Sequence, residues 1–136
     1  MNRSISKPAK LLLTLLFSTL AISHVNASDD FDRLYTQAES EMKTEFGGFY
    51  SMQLNGHIAE SHTNVMDSCT ATHKKSSKQP FSAVFEINSN GTIKAFHLES
   101  KANDFAACLK SSFVGLEVPM PPFDGYLSPF NWGSMR

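Results

Sequence analysis

From residue 81 onward apolar and polar positions alternate. Phe81-Ser82-Ala83-Val84-Phe85-Glu86-Ile87 is followed by Asn90-Gly91, and Thr92-Ile93-Lys94-Ala95-Phe96-His97-Leu98 then alternates again. A two-residue period places successive side chains on opposite faces of a strand. Asn-Gly between two such runs predicts a hairpin with a two-residue type I′ turn. That turn pairs Ser89 with Thr92, and therefore Phe85 with Phe96 and Ala83 with Leu98. One face then carries Phe81, Ala83, Phe85, Ile87, Phe96 and Leu98. The other carries Ser82, Glu86, Asn88, His97 and Glu99. This register buries one face and leaves the other to water.

Elsewhere the period is helical. Over 28–46, Phe31, Leu34, Tyr35, Ala38, Met42 and Phe46 form one stripe, Ser28 or Asp29 can cap its start, and Gly47-Gly48 is expected to end it. Phe49–Leu54 reads as a short strand or packed loop, and Asn55-Gly56 as a turn. Residues 57–75 predict a second helix with Ile58, Val65, Met66 and Cys69 on one face. Lysines 74, 75 and 78 follow in a solvated connection. Residues 103–114 predict a third helix, capped by Asn103, with Phe105, Cys108 and Leu109 inward. Val118-Pro119-Met120-Pro121-Pro122 must run extended. Tyr126–Trp132 reads as a last strand, with Tyr126, Phe130 and Trp132 on one side and Pro129 confining it to a sheet edge or a bulge. The order predicts an α+β fold: a small antiparallel three-stranded sheet with helices packed on one face.

The N-terminus reads as an address. Arg3, Lys7 and Lys10 precede a 12-residue, largely apolar run from Leu11 to Ile22, and Val25-Asn26-Ala27 follows. The run is too short for a span, which takes roughly 20 residues. It fits a secretory signal cut after Ala27, with an uncleaved anchor as the alternative. The expected organisation is a signal over 1–27, an amphipathic helix and connecting segment over 28–56, and an α+β domain over 57–136. The exported protein is placed in the periplasm, with no stable membrane insertion after cleavage. Its nine basic and thirteen acidic residues give a net charge of −4. No basic surplus argues for nucleic acid.

Cys69 and Cys108 are the two cysteines of the chain. An even count in an exported protein reads as a disulfide. Closing a loop of 39 positions is worth about 3.5–4 kcal/mol in the loop-entropy account. A reactive thiol pair is the alternative. Cys69 and His73 stand at i, i+4, with His57 and His62 upstream, a spacing that a nucleophile–base pair or a copper or zinc site can use. Exposed helix histidines with no metal and no cofactor are the reading adopted. His97 lies on the wet strand face near Glu86 and Glu99, where a pH-responsive cross-strand pair is possible and a plain surface histidine is the simpler reading. GxSxG, P-loop, HExxH and GxGxxG patterns are absent from the sequence, and no enzyme activity is expected.

A helix bearing Cys69, strand 81–87, the Asn90-Gly91 turn, a second strand, a helix bearing Cys108, Val118-Pro119-Met120-Pro121-Pro122 and a closing Gly125-Tyr126…Pro129-Phe130-Asn131-Trp132 follow in order. Over roughly 57–133 this resembles the C-terminal domains of the TonB/TolA superfamily, and within it the AgmX/PglI-type domain. TonB and TolA proper carry an uncleaved anchor and a long linker; on the signal reading this chain has neither, so energy transduction is not expected of it. The resemblance implies recognition by strand addition or along a helix–sheet groove. The expected function is a non-enzymatic binding or adaptor module. It would contact an envelope protein partner through Tyr126, Leu127, Ser128, Phe130 and Trp132. An inhibitor or immunity-type protein that blocks an envelope enzyme or toxin is the alternative.

Overall fold

The computed structural model of the chain describes residues 27–133. The expected signal lies outside the described residues up to Ala27, where the first helix begins. The elements are α1 (Ala27–Met42), α2 (Glu45–Ser61), α3 (Thr63–Thr72), β1 (Phe81–Ile87), β2 (Ile93–Leu98), α4 (Asp104–Phe113) and β3 (Tyr126–Trp132). A single 3₁₀ turn at Ser76–Lys78 joins α3 to β1. The sheet is antiparallel in the order β2-β1-β3, so β1 is central and β3 is an edge, where Pro129 is tolerated. The α+β class and the three strands are as the patterning predicts.

The body of the hairpin holds the expected register, with Ala83 opposite Leu98 and Phe85 opposite Phe96. Its turn differs. Gly91 N donates to Asn88 O and Asn88 N to Thr92 O, and Gly91 alone takes a positive φ of 76°. A type I′ turn needs two such residues, and Asn90 is not one. The connection is therefore a three-residue loop, and a register shift at Glu86/Ile87 returns the strands to the predicted pairing. Gly91 is also needed for space, since a Cβ there would lie 2.6 Å from Val118 O.

The helical boundaries move more. Gly47-Gly48 do not end the first helix; they sit in the first turn of α2. Thr44 caps α2, its Oγ1 accepting from Gly47 N at 3.1 Å and donating to Glu41 O at 2.7 Å. Phe49–Leu54, read as strand or loop, and Asn55-Gly56, read as a turn, are interior residues of α2. Tertiary packing overrides the weak local signals here: Tyr50, Ser51, Leu54 and Ile58 are all buried at helical spacing. α2 runs unbroken across positions 56 and 57, where the domain boundary was expected. The helix expected over 57–75 is divided at His62 between α2 and α3.

The main core lies between the odd-numbered face of β1 and helices α2, α3 and α4. Phe85 and Phe96 meet at a tilt with ring centroids 4.6 Å apart, and both meet Phe113 and Phe130 at 5.5 Å. Cys69 on α3 and Cys108 on α4 are bonded, with Cα atoms 5.8 Å apart. The second face was expected to be wet. It carries Val84 and Leu127, both buried, and α1 lies across them with Phe31 and Ala38. α1 and α2 thus sit on opposite faces and turn around the β3 edge at Lys43-Thr44.

That turn depends on Gly47, where a Cβ would stand 1.9 Å from Glu41 O. Gly47→Ala is expected to cost about 3 kcal/mol or more through backbone overpacking. Gly56→Ala, with open space around it, should gain about 0.5–1 kcal/mol from helix propensity. Urea unfolding of both variants checks the contrast. Replacing Cys69 and Cys108 together by alanine should cost about 4 kcal/mol for the 39-residue separation, read in the same way.

Candidate functional site

The expected contact strand is placed at the edge, but much of it faces inward. Tyr126, Leu127 and Ser128 are buried, while Phe130 and Trp132 are partly so. A chain of hydroxyls ties the strand to α2. Ser128 Oγ donates to Ser51 Oγ at 3.0 Å, Ser51 Oγ lies 3.0 Å from Tyr126 OH, and Tyr126 OH donates to Gly47 O at 2.9 Å. Each hydroxyl in this dry site has a partner, as buried polar groups must. Burial raises the ionisation of the Tyr126 phenol above its ordinary range, a rise that the bond to Ser51 reduces.

The outward ladder of β3 is largely closed. Leu127 N points away from β1 and donates to Glu41 Oε2 at 2.7 Å. Pro129, the next outward position, has no N–H. Asn131 follows, its side chain held by Tyr35 OH and Ser82 Oγ. An added strand would therefore have to displace Glu41 to begin its ladder at Leu127. Trp132 Nε1 donates to Ser77 O at 2.7 Å, pinning the end of the strand.

A different surface is open. α2 is apolar on two sides: Tyr50, Leu54 and Ile58 face the core, while Phe46, Phe49 and Met52 are 76%, 65% and 67% exposed. The segment after α4 completes this surface. Gly115 N donates to Ile93 O, Ile93 N to Leu116 O and Val118 N to Gly91 O, so residues 115–118 are strapped to the hairpin. The strap leads into Pro119, whose carbonyl accepts from Tyr50 OH at 2.7 Å. Met120, 75% exposed, and Pro121 then stand against Phe46, Phe49 and Gln53 around an open groove of about 370 Å³. Sequence reasoning placed Phe46 in the stripe of the first helix and missed this surface. Its available signal was the density of Phe and Met between positions 46 and 52, too rich for one buried stripe.

A second concave surface is self-satisfied. It has a volume of about 560 Å³ and lies between α1 and the ends of β1 and β3. Its polar groups bond one another: Ser82 N to Glu99, Ser82 Oγ to Asn131, and Asn131 to Tyr35. The bond from Cys69 to Cys108 leaves no thiol to pair with His73, which caps α3. Lys94 Nζ and His97 Nε2 lie 2.6 and 2.9 Å from the two oxygens of Glu86. Burial alone would push the Glu86 carboxyl up, yet the bonds from Lys94 and His97 outweigh it and hold it below its ordinary value.

Comparison with protein-family models, curated proteins and solved structures finds no match to this chain.

The Glu86 cluster gives a pH dependence with a definite sign. A carboxyl lowered in the folded state stabilises above its ordinary value of 4.5, and that contribution is lost as the pH falls below it towards the folded value. Glu86→Gln should therefore flatten the stability profile below pH 4.5. Thermal unfolding across pH 2.5–8 checks this, and an unchanged acid limb in the variant would assign the slope to other carboxyls.

Proposed function

We propose that this chain is a non-enzymatic protein-binding module of the bacterial envelope, and that its partner docks on the exposed α2 face rather than along β3. The observation that carries the reading is the cluster of Phe46, Phe49, Met52 and Met120, four large apolar side chains each about two-thirds exposed or more. Contiguous apolar surface of this kind costs free energy in water unless a partner covers it. Methionine adapts its shape to different ligands, and aromatic side chains dominate interface energetics. The acidic Glu45, next in the chain to Phe46, suits an amphipathic partner segment flanked by basic residues.

The location is supported by the disulfide, which is compatible with an oxidising compartment. The chain has a cysteine-bearing helix, two strands, a second cysteine-bearing helix and a last strand, the order on which the TonB/TolA-like resemblance rests. In this reading β3 acts mainly as the support on which α2 is mounted, through Ser51, Tyr126 and Ser128.

In-cell photo-crosslinking distinguishes the two surfaces. A probe at Phe49 should give a discrete protein adduct that Phe46→Ser weakens several-fold. A probe at Asn131, the outward residue of β3, should give none. An adduct from Asn131 alone returns the interface to the edge strand. Silence at both positions in folded, abundant protein counts against stable protein binding through either surface.

A further inference from the structure

Two imidazoles at the end of α2 address one oxygen. His57 Nε2 lies 3.2 Å and His62 Nε2 lies 2.9 Å from the main-chain carbonyl of Glu117. The rings are 5.3 Å apart between centroids and nearly perpendicular, at 73°. Both are partly exposed, so their shared target opens to solvent. The carbonyl itself is fixed, because the residues on either side of it belong to the strap, through Ile93 N to Leu116 O and Val118 N to Gly91 O.

We infer that His57 Nε2, His62 Nε2 and Glu117 O form a binding site for a single divalent transition-metal cation, Cu²⁺ before Zn²⁺. The inference goes beyond the protein-binding reading and does not depend on it. Imidazole nitrogen suits copper, nickel and zinc, and Cu²⁺ stands highest among first-row divalent ions for a given nitrogen and oxygen set. A cation with bonds of about 2.1 Å holds neighbouring donors about 3.0 Å apart at right angles and about 3.4 Å apart at the tetrahedral angle. The two nitrogen–oxygen separations, 3.2 and 2.9 Å, lie close to that range, and turning each ring so that its Nε2 aims beside the carbonyl oxygen rather than at it lets an ion sit between the donors.

In the bound state each ring carries its proton on Nδ1, which leaves the Nε2 lone pair to the ion. The cation then replaces the two N–H bonds to the Glu117 carbonyl. Water completes the coordination sphere. Among the described residues no three His, Cys, Asp or Glu side chains gather to hold a cation. The site is therefore open, with two side-chain ligands and one main-chain ligand, and suits an exchangeable ion rather than a structural one.

His73, at the end of α3, and His97, paired with Glu86, serve as internal controls. The whole folded chain is titrated with Cu²⁺ alone in a non-chelating buffer at pH 7.4 and followed by electron paramagnetic resonance. One equivalent should bind with hyperfine coupling to two nitrogens. His57→Gln keeps a donor for the Glu117 carbonyl but lacks the imidazole. It should weaken binding by roughly tenfold or more, as should His62→Gln, the loss that even outer-shell changes produce at metal sites. Both variants should retain the wild-type unfolding midpoint, since glutamine still offers the Glu117 carbonyl a donor. His73→Gln and His97→Gln should leave binding unchanged. Failure of the wild-type chain to bind one equivalent would overturn the inference. So would one-nitrogen coupling, or equal losses in all four variants.

Discussion

β1 is buried on both faces, and the rest of the fold is arranged to keep it so. Phe81, Ala83, Phe85 and Ile87 fill the space under α2, α3 and α4, while Val84 on the opposite face needs a cover of its own. A three-stranded sheet is too narrow to shield that face by itself, and burying Val84 and Leu127 removes apolar surface that would otherwise face water. α1 supplies the cover. Since α1 and α2 are joined by only Lys43 and Thr44, a chain with one helix on each face must turn around an edge of the sheet. That edge is β3. The close approach of Gly47 to Glu41 O is the local consequence.

Closing the edge in this way has an electrostatic part. Glu41 accepts the outward N–H of Leu127, so a strand that could otherwise template association ends in an internal hydrogen bond. Inside the turn, Ser51, Tyr126, Ser128 and the Gly47 carbonyl form a fully paired polar chain. Removing one hydroxyl from such a chain leaves its neighbour desolvated and unpaired, which costs about 1–3 kcal/mol. The chain therefore selects one seating of α2 on β3, where apolar contacts alone would tolerate several.

The same seating decides what faces outward. With Tyr50, Leu54 and Ile58 turned to the core, Phe46, Phe49 and Met52 have no place inside. The strap over 115–119 brings Pro119 and Met120 beside them and delivers the Glu117 carbonyl to His57 and His62. One short segment thus builds two surfaces of different chemistry on α2, an apolar groove near its start and a polar pair at its end.

The strands, the register of Phe85 on Phe96, the Asn103 cap and the inward cysteines were legible in the sequence, because period, turn chemistry and capping are local properties. The turn type was less legible, since three-residue and two-residue loops at Asn90-Gly91 differ by one residue that a bulge absorbs. The course of 43–61 was not legible. Two adjacent glycines and an Asn-Gly pair signal breaks, and only the packing of Tyr50, Ser51, Leu54 and Ile58 against the sheet makes this stretch one helix. Likewise, Val84 in an alternating run gives no sign of which element will cover it. The sequence by itself determined the elements whose hydrogen bonds and side-chain periods close within a few residues. The tertiary structure alone decided the wrapping of β3, the exposed face of α2 and the meeting of His57 and His62 at Glu117, because each joins residues between 55 and 86 positions apart.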